Sequence, residues 1–134
     1  MRYIAFIYKD PDSAYGVVFP DVPGCFSAGD TLDEATRNAV EALAGHIRWL
    51  ETEGDPVSRP RTMDEIVADP ALTEDRDGAI LASIPLVRDL GSTTRINVSL
   101  DFGLLKAIDD EARQRGQTRS AFIASAVRKE LTNA

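Results

Sequence analysis

The spacing of hydrophobic positions along this chain passes from an unbroken run to alternation and then to a three-and-four repeat, and each spacing predicts a different element. Residues 3 to 8, from Tyr3 to Tyr8, are apolar or aromatic at every position, as in a strand buried on both faces and therefore central in its sheet. Asp10-Pro11-Asp12-Ser13 supplies turn chemistry, and Tyr15-Gly16-Val17-Val18-Phe19 returns as the second strand of a hairpin. Pro23-Gly24 suits the centre of a tight turn ahead of a short third strand from Cys25 to Ala28, which completes a meander. Thr31-Leu32-Asp33-Glu34 then has the spacing in which a hydroxyl and a carboxylate satisfy free amides at a helix start. Leu32, Ala35, Ala39, Leu43, Ile47 and Leu50 recur every three or four residues, a stripe that packs on the sheet, until Gly54 and Pro56 end the helix. Residues 55 to 77 are richer in Pro, Asp and Arg, with a short helix at Met63 to Ala68, and Ala79 to Val87 reads as a further strand.

After a hinge at Leu90-Gly91-Ser92 the pattern becomes strict alternation, with Ile96, Val98 and Leu100 on one face and Arg95, Asn97 and Ser99 on the other. Asp101 caps a helix that runs to about Arg115, with Leu104, Leu105, Ile108 and Ala112 in its apolar stripe and Gly116 where a left-handed terminal residue is wanted. A second helix starts near Thr118 or Arg119 and carries Phe122, Ile123, Ala126, Val127 and Leu131. A lone strand has no partner for its amides, and a β-α-α unit of about 40 residues is too small to hide two apolar helix faces. Antiparallel pairing of two copies answers both needs, with Ile96, Val98, Leu100, Leu105, Ile108, Phe122, Ile123 and Val127 in one shared core.

Charge divides the chain at the same hinge. The net charge of −7 splits into −9 over residues 1 to 92, where 8 Lys and Arg face 17 Asp and Glu, and +2 over residues 93 to 134, where 7 face 5. An acidic surface attracts basic proteins and repels phosphate, whereas the tail can approach DNA.

The tail resembles the ribbon-helix-helix family of bacterial repressors over about 40 residues, through Thr94-Arg95-Ile96-Asn97-Val98-Ser99-Leu100, the Leu105/Ile108/Ala112 stripe and the turn Gly116-Gln117-Thr118-Arg119-Ser120 into the second helix. It departs from many members at Asp101-Phe102-Gly103, where they have a proline-led helix start. The resemblance implies base reading by Arg95, Asn97 and Ser99 and phosphate contact by Thr118, Arg119 and Ser120. Those side chains suit the roles: Arg pairs with guanine, Asn with adenine, and a helix N-terminus favours phosphate.

The run GVVFPDVPGCFSAGDTLDEA from Gly16 to Ala35, followed by Asn38-Ala39 and Glu41-Ala42-Leu43, resembles the signature of HicB-type antitoxins over residues 3 to about 50. That resemblance implies an α+β chain: a partial RNase H-like β-meander/α domain in residues 1–90 that holds a HicA-type toxin ribonuclease, and a ribbon-helix-helix DNA-binding and dimerisation domain in residues 93–134. It implies operator DNA as a second partner and a homodimer, with a tetramer as the further option. Read physically, Pro23 and Gly24 shape a turn, Asp30 and Thr31 start a helix, and Ala35 and Ala39 allow close packing.

No enzyme is expected. Two-metal hydrolysis needs converging carboxylates, but Asp10, Asp12, Asp21 and Asp30 fall in turns, where they read as solvated, and Glu41 falls on a helix. The lone His46 reads as a boundary residue of the long helix and the lone Cys25 as a small buried apolar one, so neither a zinc cluster nor a nucleophile set forms, and no cofactor or metal is expected. The N-terminal apolar run is too short for a membrane span and is followed by no signal-peptide cleavage site, which places the protein in the cytoplasm. The alternative in a different class is a repressor whose N-terminal domain senses a small ligand; a tightly bound basic partner on purification separates the two.

Overall fold

A computed structural model of the chain describes residues 1–132 and divides it into two compact units, Met1–Asp89 and Leu90–Ala134. The first unit is α+β. Its strands are β1 (Arg2–Lys9), β2 (Tyr15–Val18), β3 (Phe26–Gly29) and β4 (Ile80–Pro85), all antiparallel to their neighbours in the order β3-β2-β1-β4. The run at residues 3 to 8 thus lies in an interior strand, as burial on both faces requires. Tyr3, Ala5 and Ile7 join Val17 and Ile84 against the long helix α1 (Leu32–Glu53), whereas Ile4 and Phe6 pack on the other side with Ile66 of α2 (Met63–Ala68).

Helix α1 starts and stops where its caps dictate. The Thr31 hydroxyl accepts from the Glu34 amide at 3.1 Å, and Gly54 at φ +76° turns the chain so that Asp55 N–H closes on the Leu50 carbonyl. Ala35, Ala39, Leu43 and Ile47 form its buried stripe. Leu32 does not join them: it sits in the first turn, exposed, because the helix meets the sheet only from Ala35 onward. Before α1, Cys25 N–H donates to the Val22 carbonyl across Pro23-Gly24, with Gly24 at φ +87°, the left-handed third position of a type II turn.

The Pro- and Asp-rich stretch is an ordered second layer. It contains α2, a single 3-10 turn (Pro70–Leu72) and the one-turn α3 (Thr73–Arg76). Side chains stitch it to the sheet: the Tyr3 hydroxyl donates to the Ser58 carbonyl at 2.8 Å and the Tyr8 hydroxyl to the Asp75 carbonyl, while Arg76 ties the stretch together internally by donating to the carbonyls of Ile66 and Val67. Arg61 is the central clip. Its amide and Nε donate to the two oxygens of Asp21 at 2.8 and 2.7 Å, while its Nη1 reaches Asp69 at 2.8 Å. Asp21 is therefore not a solvated turn carboxylate; its side chain is only 8% exposed, and its charge is neutralised by a residue 40 positions away. The Arg61 hydrogen bond, followed by one from the Ala71 amide, holds the Asp69 carboxyl below its ordinary range.

Cys25 lies buried in the α1 core cluster, and burial pushes its thiol up to about 11. At neutral pH the reactive thiolate is then rarer than in an exposed cysteine by about 100-fold. An aromatic disulfide reagent is expected to label the native protein at least about 100-fold more slowly than the unfolded chain in denaturant; equal rates would show that the β2–β3 connection opens freely.

In the second unit, α4 (Phe102–Gln114) and α5 (Arg119–Thr132) are the only assigned elements among the described residues. Residues 93 to 100, expected as a strand, carry no strand here, and every residue from 91 to 100 is exposed. A strand is defined by its ladder partner, and the expected partner belongs to a second chain.

Candidate functional site

The second unit is built from its caps. The Asp101 carboxylate accepts from the Leu104 amide at 3.1 Å to start α4, despite the glycine at position 103. Its end turns at Gly116, φ +66°, where Gln117 N–H donates to the Ala112 carbonyl at 2.8 Å. The Thr118 hydroxyl accepts from the Ala121 amide at 3.1 Å and starts α5. Two further contacts fix the helix pair: Arg119 makes a two-point ion pair with Asp109 at 2.8 Å per bond, and the Arg115 guanidinium lies 5.4 Å from the Phe122 ring centre. The hydrogen bond from Arg119 holds the Asp109 carboxyl below its ordinary range, and Asp109 in turn raises Arg119.

These assignments change how the expected phosphate contacts read. Thr118 serves as a cap and Arg119 as a helix-pairing group, while Ser120 is exposed. What the start of α5 offers an anion is its first-turn amides, polarised by the helix. The Asp109 partner of Arg119 was not legible in the sequence, because the pair forms across the α4–α5 turn.

Arg95, Asn97 and Ser99 are all exposed. So are the residues that alternate with them: Ile96 is 73% exposed and Val98 65%. Leu105, Ile108, Phe122 and Ile123 are only half-buried, Val127 is exposed, and Ala112 is the single buried residue among the described part of the unit. Two well-capped helices thus enclose almost no core in one chain.

In the first unit, Gly29 and Asn38 explain signature positions that had no assigned role. A Cβ at Gly29 would lie 2.3 Å from the Ala35 backbone nitrogen, so β3 can meet the start of α1 only with glycine there. The Asn38 amide donates to the Ala28 carbonyl at 2.8 Å, tying the same helix to the edge strand. His46 sits beneath the Pro23-Gly24 turn and 5.5 Å from Trp49, with its Nε2 buried and unpartnered among the described residues. Among the described residues, no three His, Cys, Asp or Glu side chains come together in a way that could hold a metal ion. No helix there is long and apolar enough to cross a membrane.

An antiparallel meander with a helix laid across one face, followed by a separate helical pair, is an architecture shared with solved antitoxins. The antitoxin HicB of Burkholderia pseudomallei is 37% identical and superposes with a TM-score of 0.57, over 95% of this chain and 96% of that one. A chain of the solved HicA3 and HicB3 toxin-antitoxin complex is 38% identical, with a TM-score of 0.55 over 65% of this chain and 99% of its own. An uncharacterized 14.9 kDa protein from the rep-hol intergenic region of Haemophilus phage HP1 is 32% identical over the full length of both chains. The family model for the HicB-like antitoxins of bacterial toxin-antitoxin systems matches residues 3–127. The chain belongs to this family and is an antitoxin of the HicB type.

Proposed function

We propose that residues 1–90 bind and neutralise a HicA-type toxin ribonuclease, and that residues 93–134 form a ribbon-helix-helix dimer that binds operator DNA and represses the chain's own operon. The observation that carries the DNA-binding half is the second unit's bare apolar surface: two capped helices and an alternating segment leave Ile96, Val98 and Val127 open in one chain. A second copy covers that surface if the two segments at 94 to 100 pair as a ribbon, which turns Arg95, Asn97 and Ser99 outward at the width of a major groove. The toxin-binding half is supported by the likeness to a chain of the HicA3 and HicB3 complex and by the net charge of −9 on the first 92 residues. The meander followed by a helix across one face is consistent with a partial RNase H-like domain. The protein acts by binding, without catalysis, in the cytoplasm.

Co-expression with the short reading frames that flank the gene is expected to yield a tight complex with a basic HicA-type protein; purification of the chain free of any partner, with no relief of toxin-arrested growth, overturns the toxin reading. For the DNA half, Asn97→Ala is expected to cost roughly 1 to 3 kcal/mol per half-site and to relax the preference at one position of each half-site in a gel-shift series over operator variants. Arg119→Ala, which unpairs Asp109 and loosens the turn that presents the first-turn amides of α5, should instead weaken specific and non-specific binding together. Unchanged specificity in Asn97→Ala would mean that the ribbon is not the reading element.

A further inference from the structure

The face of the sheet turned away from α1 is covered over β1 and β4, where Ile66, Met63 and Leu72 pack with Ile4, Phe6 and Leu81. Over β2 and β3 the cover stops. The register aligns Phe26 with Val18, and Ala28 with Gly16 and then Tyr8, all on this face. Phe26 is 68% exposed, Ala28 is exposed, and a Cβ added at Gly16 would meet nothing within 4 Å. Gly16 and Ala28 form the floor of a shallow apolar depression bordered along the strands by Val18 and Phe26 and across the sheet by Tyr8. One end of it is acidic. Asp10 and Asp12 occupy the β1–β2 turn, Asp30 follows β3 at the same end, and Asp75 stands beside the Tyr8 hydroxyl. Lys9, next to Asp10 in sequence, is drawn to the Tyr15 ring.

We propose that this depression, with Phe26 as its anchor, is where the first unit receives its basic toxin partner. The inference rests on the toxin-binding reading above and names the surface that performs it. An exposed aromatic on an edge strand is an aggregation hazard unless something covers it. A floor with no side chain larger than a methyl group admits a partner's apolar group beside that ring, the arrangement found at the energetic centres of interfaces. The acidic end then selects a partner with Lys or Arg next to that apolar group.

Gly16→Gln is the sharpest test. The site has open space and no left-handed φ, so the free protein accommodates the side chain while the depression is filled. The full-length chain, with Gly16→Gln or Phe26→Ser, is titrated calorimetrically with the HicA-type protein recovered by co-expression, alongside Trp49→Ala, another exposed aromatic, on α1. Thermal transitions matching wild type confirm folding. Both depression variants are expected to weaken binding by about 30-fold or more, and Trp49→Ala by less than about threefold. If wild type binds and the depression variants bind as well, the docking face is overturned while toxin binding stands; the docking face is equally overturned if Trp49→Ala alone loses binding. If wild type captures no such protein, both readings fall together.

Discussion

Gly29→Ala is expected to destabilise the first unit by about 3 kcal/mol or more, the upper range for forcing a methyl group into a filled site. The added Cβ would lie 2.3 Å from the Ala35 nitrogen, 2.7 Å from its Cα and 2.8 Å from the Glu34 carbonyl carbon. All three are backbone atoms in the first turn of α1. A long side chain could swing aside, but this turn is pinned by the Thr31 cap at one end of the contact and by the Asn38 bond to Ala28 at the other. Either β3 must leave the sheet or α1 must lift off Val17, Ile7 and Ile84. Small domains are stable by only about 5 to 15 kcal/mol, so the loss should show as a large shift of the urea midpoint. Gly16→Ala supplies the contrast. With nothing within 4 Å of its added Cβ, it should be neutral or stabilising by up to about 1 kcal/mol. Equal stability of the two variants would show that β3 and α1 do not approach this closely in solution.

That contrast shows which parts of the fold could be read from the chain and which could not. Features that depend on neighbours in sequence were legible: the Thr31 cap, the stop at Gly54, the tight turn at Pro23-Gly24, and the short helix at Met63–Ala68. The interior position of β1 was legible too, because burial on both faces leaves its mark on every residue from Tyr3 to Ile7. Features that depend on partners distant in sequence were not. Gly29 and Gly16 are both plain strand glycines until the path of α1 distinguishes a forbidden Cβ from a free one. Asp21 reads as a solvated turn residue until Arg61 arrives from another segment, and Arg119 reads as a free cation until Asp109 faces it. The alternation at residues 94 to 100 predicts a strand that the single chain does not form.

Ile108→Asp tests that missing partner with the largest expected effect in the second unit. Ile108 lies in the α4 stripe, half-buried in one chain, and the proposed dimer seals it between the four helices. Loss of a buried isoleucine side chain commonly costs about 2 to 5 kcal/mol, and a carboxylate without a partner costs more. Dimer symmetry places the change in the core twice, so the total of roughly 4 to 10 kcal/mol, before the cost of the two carboxylates, is comparable to the whole stability of a small domain. The separated chain has almost nothing to fall back on, since Ala112 is the one buried residue in the described part of this unit. Sedimentation at micromolar concentration should therefore show a monomer where wild type shows a dimer or larger. The helical signal of α4 and α5 should fall, and operator binding should be lost outright rather than shifted in specificity. The first unit has its own core, from Tyr3 to Ile84, and should keep its thermal transition. Toxin capture by the variant should accordingly persist, separating the two proposed activities in one protein. A variant that remains dimeric with its helices intact would show that α4 faces solvent in the assembled state, and the ribbon would then need a different explanation for its apolar face.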